Sequence, residues 1–245
     1  MTEHSIVAHQ FEDADQQREV STLGMWTFLA TEVLFFGALL VAYTVYRHRY
    51  PEEFRRGSLD LKWYFGCFNT AVLLVSSFFM AMAVHAAQLG HHKKLVRNLW
   101  LTIILGATFL GVKAVEYYTE YKEGLVPTTS LWERIPPSEG QENAFIRGQT
   151  HFERAITPGS SSKEEREPRP EQEKMFMSFY FILTGIHALH MIIGIGVMLG
   201  LLFLTHRGWF SREYYNPVEM GGLYWHFVDI VWVFLFPILY LLRNQ

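Results

Sequence analysis

Cysteine is nearly missing from this chain. One residue, Cys67, stands among 245, which rules out an intramolecular disulfide and any cysteine-based metal cluster. It falls inside an apolar run and reads as a small buried hydrophobe. Charge is scarce as well: 18% of residues are Asp, Glu, Lys or Arg, and the formal net charge is −3. No basic surface for nucleic acid follows from that balance. Nor does the start of the chain follow the basic-then-apolar order of a secretory signal, because Met1 to Thr22 is polar and acidic. Insertion into a bilayer is therefore expected to rely on the first apolar span itself. No nucleophile with an oxyanion hole, phosphate loop or nucleotide-binding pattern occurs, so the chain has no self-contained active site.

Apolar residues fill the space that charge leaves. They make up 50% of the chain, and 16% is aromatic, a richness that suits a polytopic membrane protein more than a soluble domain. A helix needs about 20 apolar residues to cross the hydrocarbon core. Five stretches meet that length: Leu23 to Tyr46, Trp63 to Leu89, Leu99 to Tyr118, Met175 to Thr205 and Gly221 to Leu242. Trp26, Tyr46, Trp63, Trp100, Tyr117, Tyr118 and Tyr240 lie towards span ends, where interfacial anchors sit. The fold class is all-α, a polytopic transmembrane bundle of five helices with a long polar insert between helices 3 and 4. Its parts are a polar N-terminal segment (1–22), helices 1 to 3 (23–121), an extramembrane insert (122–174) and helices 4 and 5 (175–245). The insert carries six prolines and many glutamates. Its stretch Ser160 to Glu173 is expected to be flexible unless a partner orders it, whereas Leu131 and Trp132 could pack on a neighbour. Small residues such as Gly106, Gly194, Gly196 and Gly200 let helices approach closely within the bundle.

Ionisable groups at membrane depth are costly, so each needs a partner or a task. Glu32 lies roughly 13 Å along the first span. Two readings stand: a proton-handling or lipid-coupled site, or an acid hydrogen-bonded to a neighbouring helix. Lys113 and Glu116 are three apart and share a helix face, which favours a structural ion pair, although snorkelling to the interface is open to them. Thr184, His187 and His190 form a ladder on one face. With His85 and His226 in other spans, these imidazoles could ligate a haem or metal, but the ladder reads more naturally as interhelical hydrogen bonding. His226 and Asp229 are also three apart, a spacing that lets the carboxylate hold the imidazole.

The last span reads Tyr224-Trp225-His226-Phe227-Val228-Asp229-Ile230-Val231-Trp232, which resembles the YWHFVDxVW signature of cytochrome c oxidase subunit III. Three further blocks follow the family's order. Thr31-Glu32-Val33-Leu34-Phe35-Phe36 resembles its [ST]EVxFF block. Asn69-Thr70 with Leu73-Leu74 and Ser76-Ser77 resembles NTxxLLxSS, and Thr184-Gly185-Ile186-His187-Ala188-Leu189-His190 resembles TGxHxxH. The resemblance covers essentially the whole membrane part and fits the bacterial five-helix form.

That resemblance implies a non-catalytic core subunit of a proton-pumping haem-copper terminal oxidase, passing electrons from cytochrome c to oxygen. Haem and copper would sit in partner subunits, and this chain would bind no metal and hold ordered phospholipid in a cleft. Its main contact would be oxidase subunit I, with subunit II and small or cytochrome-containing subunits as further partners. The family's carbodiimide-reactive carboxylate maps onto Glu32, as a modulator of proton uptake and turnover stability. Its Glu-Tyr pair maps onto Glu116-Tyr117, and Lys113 stands where many members carry Gln. Lipid headgroup contacts are expected of Arg47, Arg207 and Trp225. Close alternatives are subunit III of a quinol oxidase and an accessory protein of nitric oxide reductase with the same fold. A transporter or haem-binding bundle is a more distant one.

Orientation sets two arguments against each other. Arg47, Arg49, Arg55, Arg56 and Lys62 lie on the side of the insert, which the positive-inside rule would make cytoplasmic. Family topology puts that side in the periplasm, with the N-terminus cytoplasmic in a bacterial inner membrane. The ordered motifs are the more specific signal, so the second orientation is expected.

Overall fold

The structure is a computed structural model that describes residues 10–122, 125–126, 171–212 and 214–241. Every regular element among them is helical: α1 (Ala14–Arg49), α2 (Pro51–Asp60), α3 (Trp63–Gln88), α4 (His92–Lys122), α5 (Glu171–His206) and α6 (Asn216–Phe236), closed by a π-helical turn (Pro237–Leu241). Five of these are long and apolar enough to cross a membrane. The polar insert falls almost wholly outside the described residues, as do Leu131, Trp132 and the run from Ser160 to Pro170.

Helix boundaries follow local chemistry. α1 begins nine residues before its apolar span because Asp13 caps it, accepting the Gln16 amide at 2.7 Å. Its 36 residues extend about 54 Å, well beyond the hydrocarbon layer of about 30 Å. Pro51 ends it, since a residue before proline avoids helical torsions, and the same proline starts α2 at its first turn. α3 and α5 close on Gly90 and Gly208, the two described glycines with positive φ (71° and 73°). At each, an amide reaches back five residues, His91 to Ala86 at 2.8 Å and Trp209 to Leu204 at 3.2 Å. Such Schellman turns need the left-handed conformation that glycine adopts without steric cost.

Helices α3 to α6 form the packed body, with α3 against α4 and α6, and α5 against α4 and α6. α1 lies outside it, resting mainly on α6. Trp225 is the central side chain and is fully enclosed. It fits because α4 and α5 offer glycine there: a Cβ on Gly106 would stand 2.6 Å from Trp225 Cη2, and one on Gly194 3.1 Å from its ring. By contrast, Gly196 and Gly200 face open space. Along the α3–α6 seam the indole N–H groups find hydroxyls, Trp225 on Ser76 at 2.9 Å and Trp232 on Thr70 at 3.1 Å. Near the other end, Tyr43 of α1, Phe54 of α2 and Phe176 of α5 meet edge-on or tilted with ring centroids 5.4–6.4 Å apart. That cluster folds α2 back over the end of the bundle.

Three expectations need correction. Cys67 is exposed on the outer face of α3; a small apolar side chain faces lipid there as readily as it faces a core. Tyr240 is fully buried rather than an interfacial anchor, because the π-helical turn aims it into the bundle. Trp225 is likewise enclosed and bonded to Ser76, so it reaches no lipid headgroup.

Candidate functional site

Two polar clusters lie within the apolar body. The first joins α1 to α5, where Glu32 Oε2 lies 3.1 Å from His190 Nε2. Both side chains keep some exposure, 19% and 14%. Helix geometry fixes the proton count. His190 Nδ1 sits 2.9 Å from the Ile186 carbonyl oxygen, and a carbonyl only accepts, so Nδ1 carries hydrogen. The Nε2···Oε2 contact then needs one more proton, supplied by a carboxylic acid or by a second imidazole N–H. Either way the contact shares one hydrogen between Nε2 and Oε2. Phe36 meets the imidazole edge-on at 5.3 Å, and the Tyr224 hydroxyl donates to the His190 carbonyl at 3.0 Å. α1, α5 and α6 are thereby tied together at this point.

The second cluster is buried between α4, α5 and α6. Lys113 and Glu116 are 3% and 2% exposed and pair at 2.9 Å, so neither snorkels to the interface. Lys113 also donates to the Tyr180 and Tyr240 hydroxyls at 3.1 and 2.9 Å. Those hydroxyls donate in turn to Glu116 Oε1, at 3.1 Å from Tyr180 and 2.5 Å from Tyr240. Three ammonium protons and two phenol protons thus each find an acceptor. Four rings also surround the ammonium, with Tyr117, Tyr180, Trp232 and Tyr240 centroids 5.0–5.6 Å away. Cation–π attraction strengthens in such a desolvated setting. Thr184 spends its hydroxyl proton on the Tyr180 carbonyl at 2.6 Å, so Tyr117 is the donor in the 2.6 Å Tyr117–Thr184 contact. Glu120, one turn beyond Glu116, is buried beside them.

The remaining candidates are not brought together. His187 lies against Phe109 and Trp232, ring centroids 5.5 and 5.1 Å away, and neither ring nitrogen has a hydrogen-bond partner among the described residues. His226 pairs with the Ser77 hydroxyl at 2.6 Å rather than with Asp229. The Asp229 carboxylate is buried, and no partner bonds its oxygens in good geometry among the described residues, although the Ser77 side chain lies beside it. His85 is exposed on α3. Arg47 is half-buried and Arg207 exposed, the latter over the Phe203 ring at 4.3 Å. Among the described residues, no group of three or more His, Cys, Asp or Glu is placed to hold a metal ion.

Sequence reasoning missed Tyr180, Tyr240 and Glu120. Two could have been found by continuing periods already in use, since Tyr180 lies four residues before Thr184 and Glu120 four after Glu116. Tyr240 could not, because the π-helical turn breaks the period that would predict its face.

The class is then a multi-pass helical membrane protein in which Lys113 pairs with Glu116 and Glu32 with His190. The family description "Cytochrome c oxidase subunit III" matches residues 171–243. The chain is 27% identical to cytochrome c oxidase subunit 3 of Thermostichus vulcanus, over 94% of this chain and 92% of that one. It is 26% identical to quinol oxidase subunit 3 of Bacillus subtilis, over 98% and 96% respectively. A probable cytochrome c oxidase subunit 3 of Nocardia farcinica is 28% identical, over 99% and 97%. Over nearly its whole length this chain is thus similar to subunits III of cytochrome c and quinol oxidases, and its last third matches their family description.

Proposed function

We propose that this chain is the non-catalytic subunit III of a proton-pumping terminal oxidase that passes electrons from cytochrome c to oxygen. It carries no redox centre itself; haem and copper belong to the partner subunits. It docks mainly on oxidase subunit I, alongside subunit II, and holds phospholipid against its outer helices. Its location is a bacterial inner membrane, with the N-terminus cytoplasmic and the C-terminus periplasmic.

One observation carries the mechanistic part, the 3.1 Å contact between Glu32 Oε2 and His190 Nε2 within the apolar body. A proton can pass between the carboxyl and the imidazole of such a pair without changing its net charge. We assign it to sustaining proton uptake into subunit I and to prolonging activity during turnover. The buried Lys113 cluster, Thr184, His187, His226 and Asp229 serve the shape of the bundle, and Arg47 and Arg207 meet headgroups.

The test is a pair of variants in the assembled oxidase. Glu32→Gln can still donate to His190 Nε2 through its amide but holds no mobile proton, whereas Glu32→Ala loses both. Both are expected to keep haem content and the initial rate of oxygen consumption. Both should also alter proton uptake or shorten the active lifetime, with Ala additionally loosening α1. Loss of haem from the complex would sink the proposal. A copper signal in the co-purified subunit II separates a cytochrome c oxidase from a quinol oxidase, the reading that the Bacillus subtilis relative also supports.

A further inference from the structure

Cations at the two ends of the bundle are treated differently. At the end carrying α2, Arg55 bonds Glu52 at 3.0 Å, Arg47, Lys62 and Lys174 are each engaged and Arg49 lies over the Tyr50 ring, which leaves Arg56 exposed with no ion pair among the described residues. At the opposite end, Lys93, Lys94, Arg97 and Arg212 are all exposed, and none is among the ion pairs formed by the described residues. Arg18 is the exception there, lying 2.8 Å from the Tyr215 hydroxyl and 3.7 Å from Glu219. Around Lys93, Lys94 and Arg97 the sequence offers no local acid, since no Asp or Glu occurs from Gly90 to Val115.

Two loops bring these charges to one end. The Schellman turn at Gly90 lies against the α5–α6 loop, and a Cβ on Gly90 would stand 3.7 Å from Arg212 Cβ. Depth is marked by aromatic side chains. Trp100 and Trp209 are 45% and 53% exposed, as expected for indoles at headgroup level. Arg97 precedes Trp100 by three residues, about 4.5 Å along the axis, and Lys93 and Lys94 lie about one turn further out. The cations therefore occupy the layer where lipid phosphates lie.

We propose that Lys93, Lys94, Arg97 and Arg212 form a docking patch for the phosphates of anionic phospholipid, in the leaflet at the α3–α4 loop end. The proposal rests only on the helices spanning a bilayer, not on the role given to Glu32. Exposed cations with no ion pair among the described residues, fringed by exposed indoles, suit a fluid headgroup layer better than a fixed acidic protein segment, which would need matched geometry. It also bears on orientation. Lys and Arg near span ends favour the cytoplasmic face, and most of the rival cluster at the α2 end is already engaged within the protein.

The test uses the intact oxidase complex in phosphatidylcholine bilayers containing a spin-labelled phosphatidylglycerol, read as the fraction of probe immobilised on the protein. Each neutralised cation should weaken association about fivefold. The quadruple variant K93Q/K94Q/R97Q/R212Q should lose its preference for phosphatidylglycerol over a phosphatidylcholine probe at these sites, and R55Q at the other end should keep it. Raising salt should imitate the quadruple variant. Unchanged preference in that variant overturns the proposal. So does loss of a neighbouring subunit with the lipid preference kept, which would make the patch a protein contact. If the quadruple variant does not assemble, R212Q alone and the charge-keeping K93R/K94R decide. The first must weaken probe association and the second must preserve it, and any other result counts against the patch.

Discussion

Removing the Lys113 ammonium would strand the Glu116 carboxylate and leave two phenol oxygens without their donor. Breaking one side of a buried pair typically costs about 3–5 kcal/mol, because the surviving charge stays buried. Lys113→Met and Glu116→Leu are each expected to lower stability by an amount in that range. The double variant should lose much less than the sum of the two, as measured by unfolding in detergent with a double-mutant cycle. Additive losses would mean that the two groups act independently. The pair itself was legible, since a spacing of three on one face allows little else. Its tyrosines were not, because aromatic residues near span ends are normally anchors, and only the π-helical turn reveals that Tyr240 points inward.

Among the helices, glycine positions divide by what faces them. Gly106→Ala would drive a methyl group against Trp225, since a Cβ there stands 2.6 Å from the ring; overpacking of this kind costs about 1–3 kcal/mol. Gly196→Ala faces open space and should change stability by less than about 0.5 kcal/mol. Thermal unfolding of the two variants side by side separates them, and equal losses would contradict the packing of Trp225. All five spans were legible from the length of their apolar runs. Their starts were less so, because α1 and α4 extend through polar residues that lie beyond the hydrocarbon and carry no apolar signal. Small residues along a span predict close approach but not which helix approaches, and that depends on where Trp225 is placed.

For the molecule as a whole, packing is uneven. Only 17% of the apolar window of α1 is buried, against 56% for the last span. Amide hydrogen exchange in the chain purified alone should therefore run faster along α1 than along α3 to α6, and assembly into the oxidase should slow it. Uniform protection in the isolated chain would be inconsistent with this arrangement. Ordered motifs in the sequence identified the family, because each block places several specific residue types at fixed spacing. Which cations are engaged within the protein was invisible there, since it depends on which side chains reach one another.

The hydrogen-bond network around Lys113 limits how this sequence can change. Five donor protons meet four buried acceptor atoms, so losing any one of these side chains leaves a buried polar group without its partner. Related chains should therefore differ at positions 113, 116, 180 and 240 together or not at all. A glutamine at position 113, with fewer protons to give, should be accompanied by a lost tyrosine.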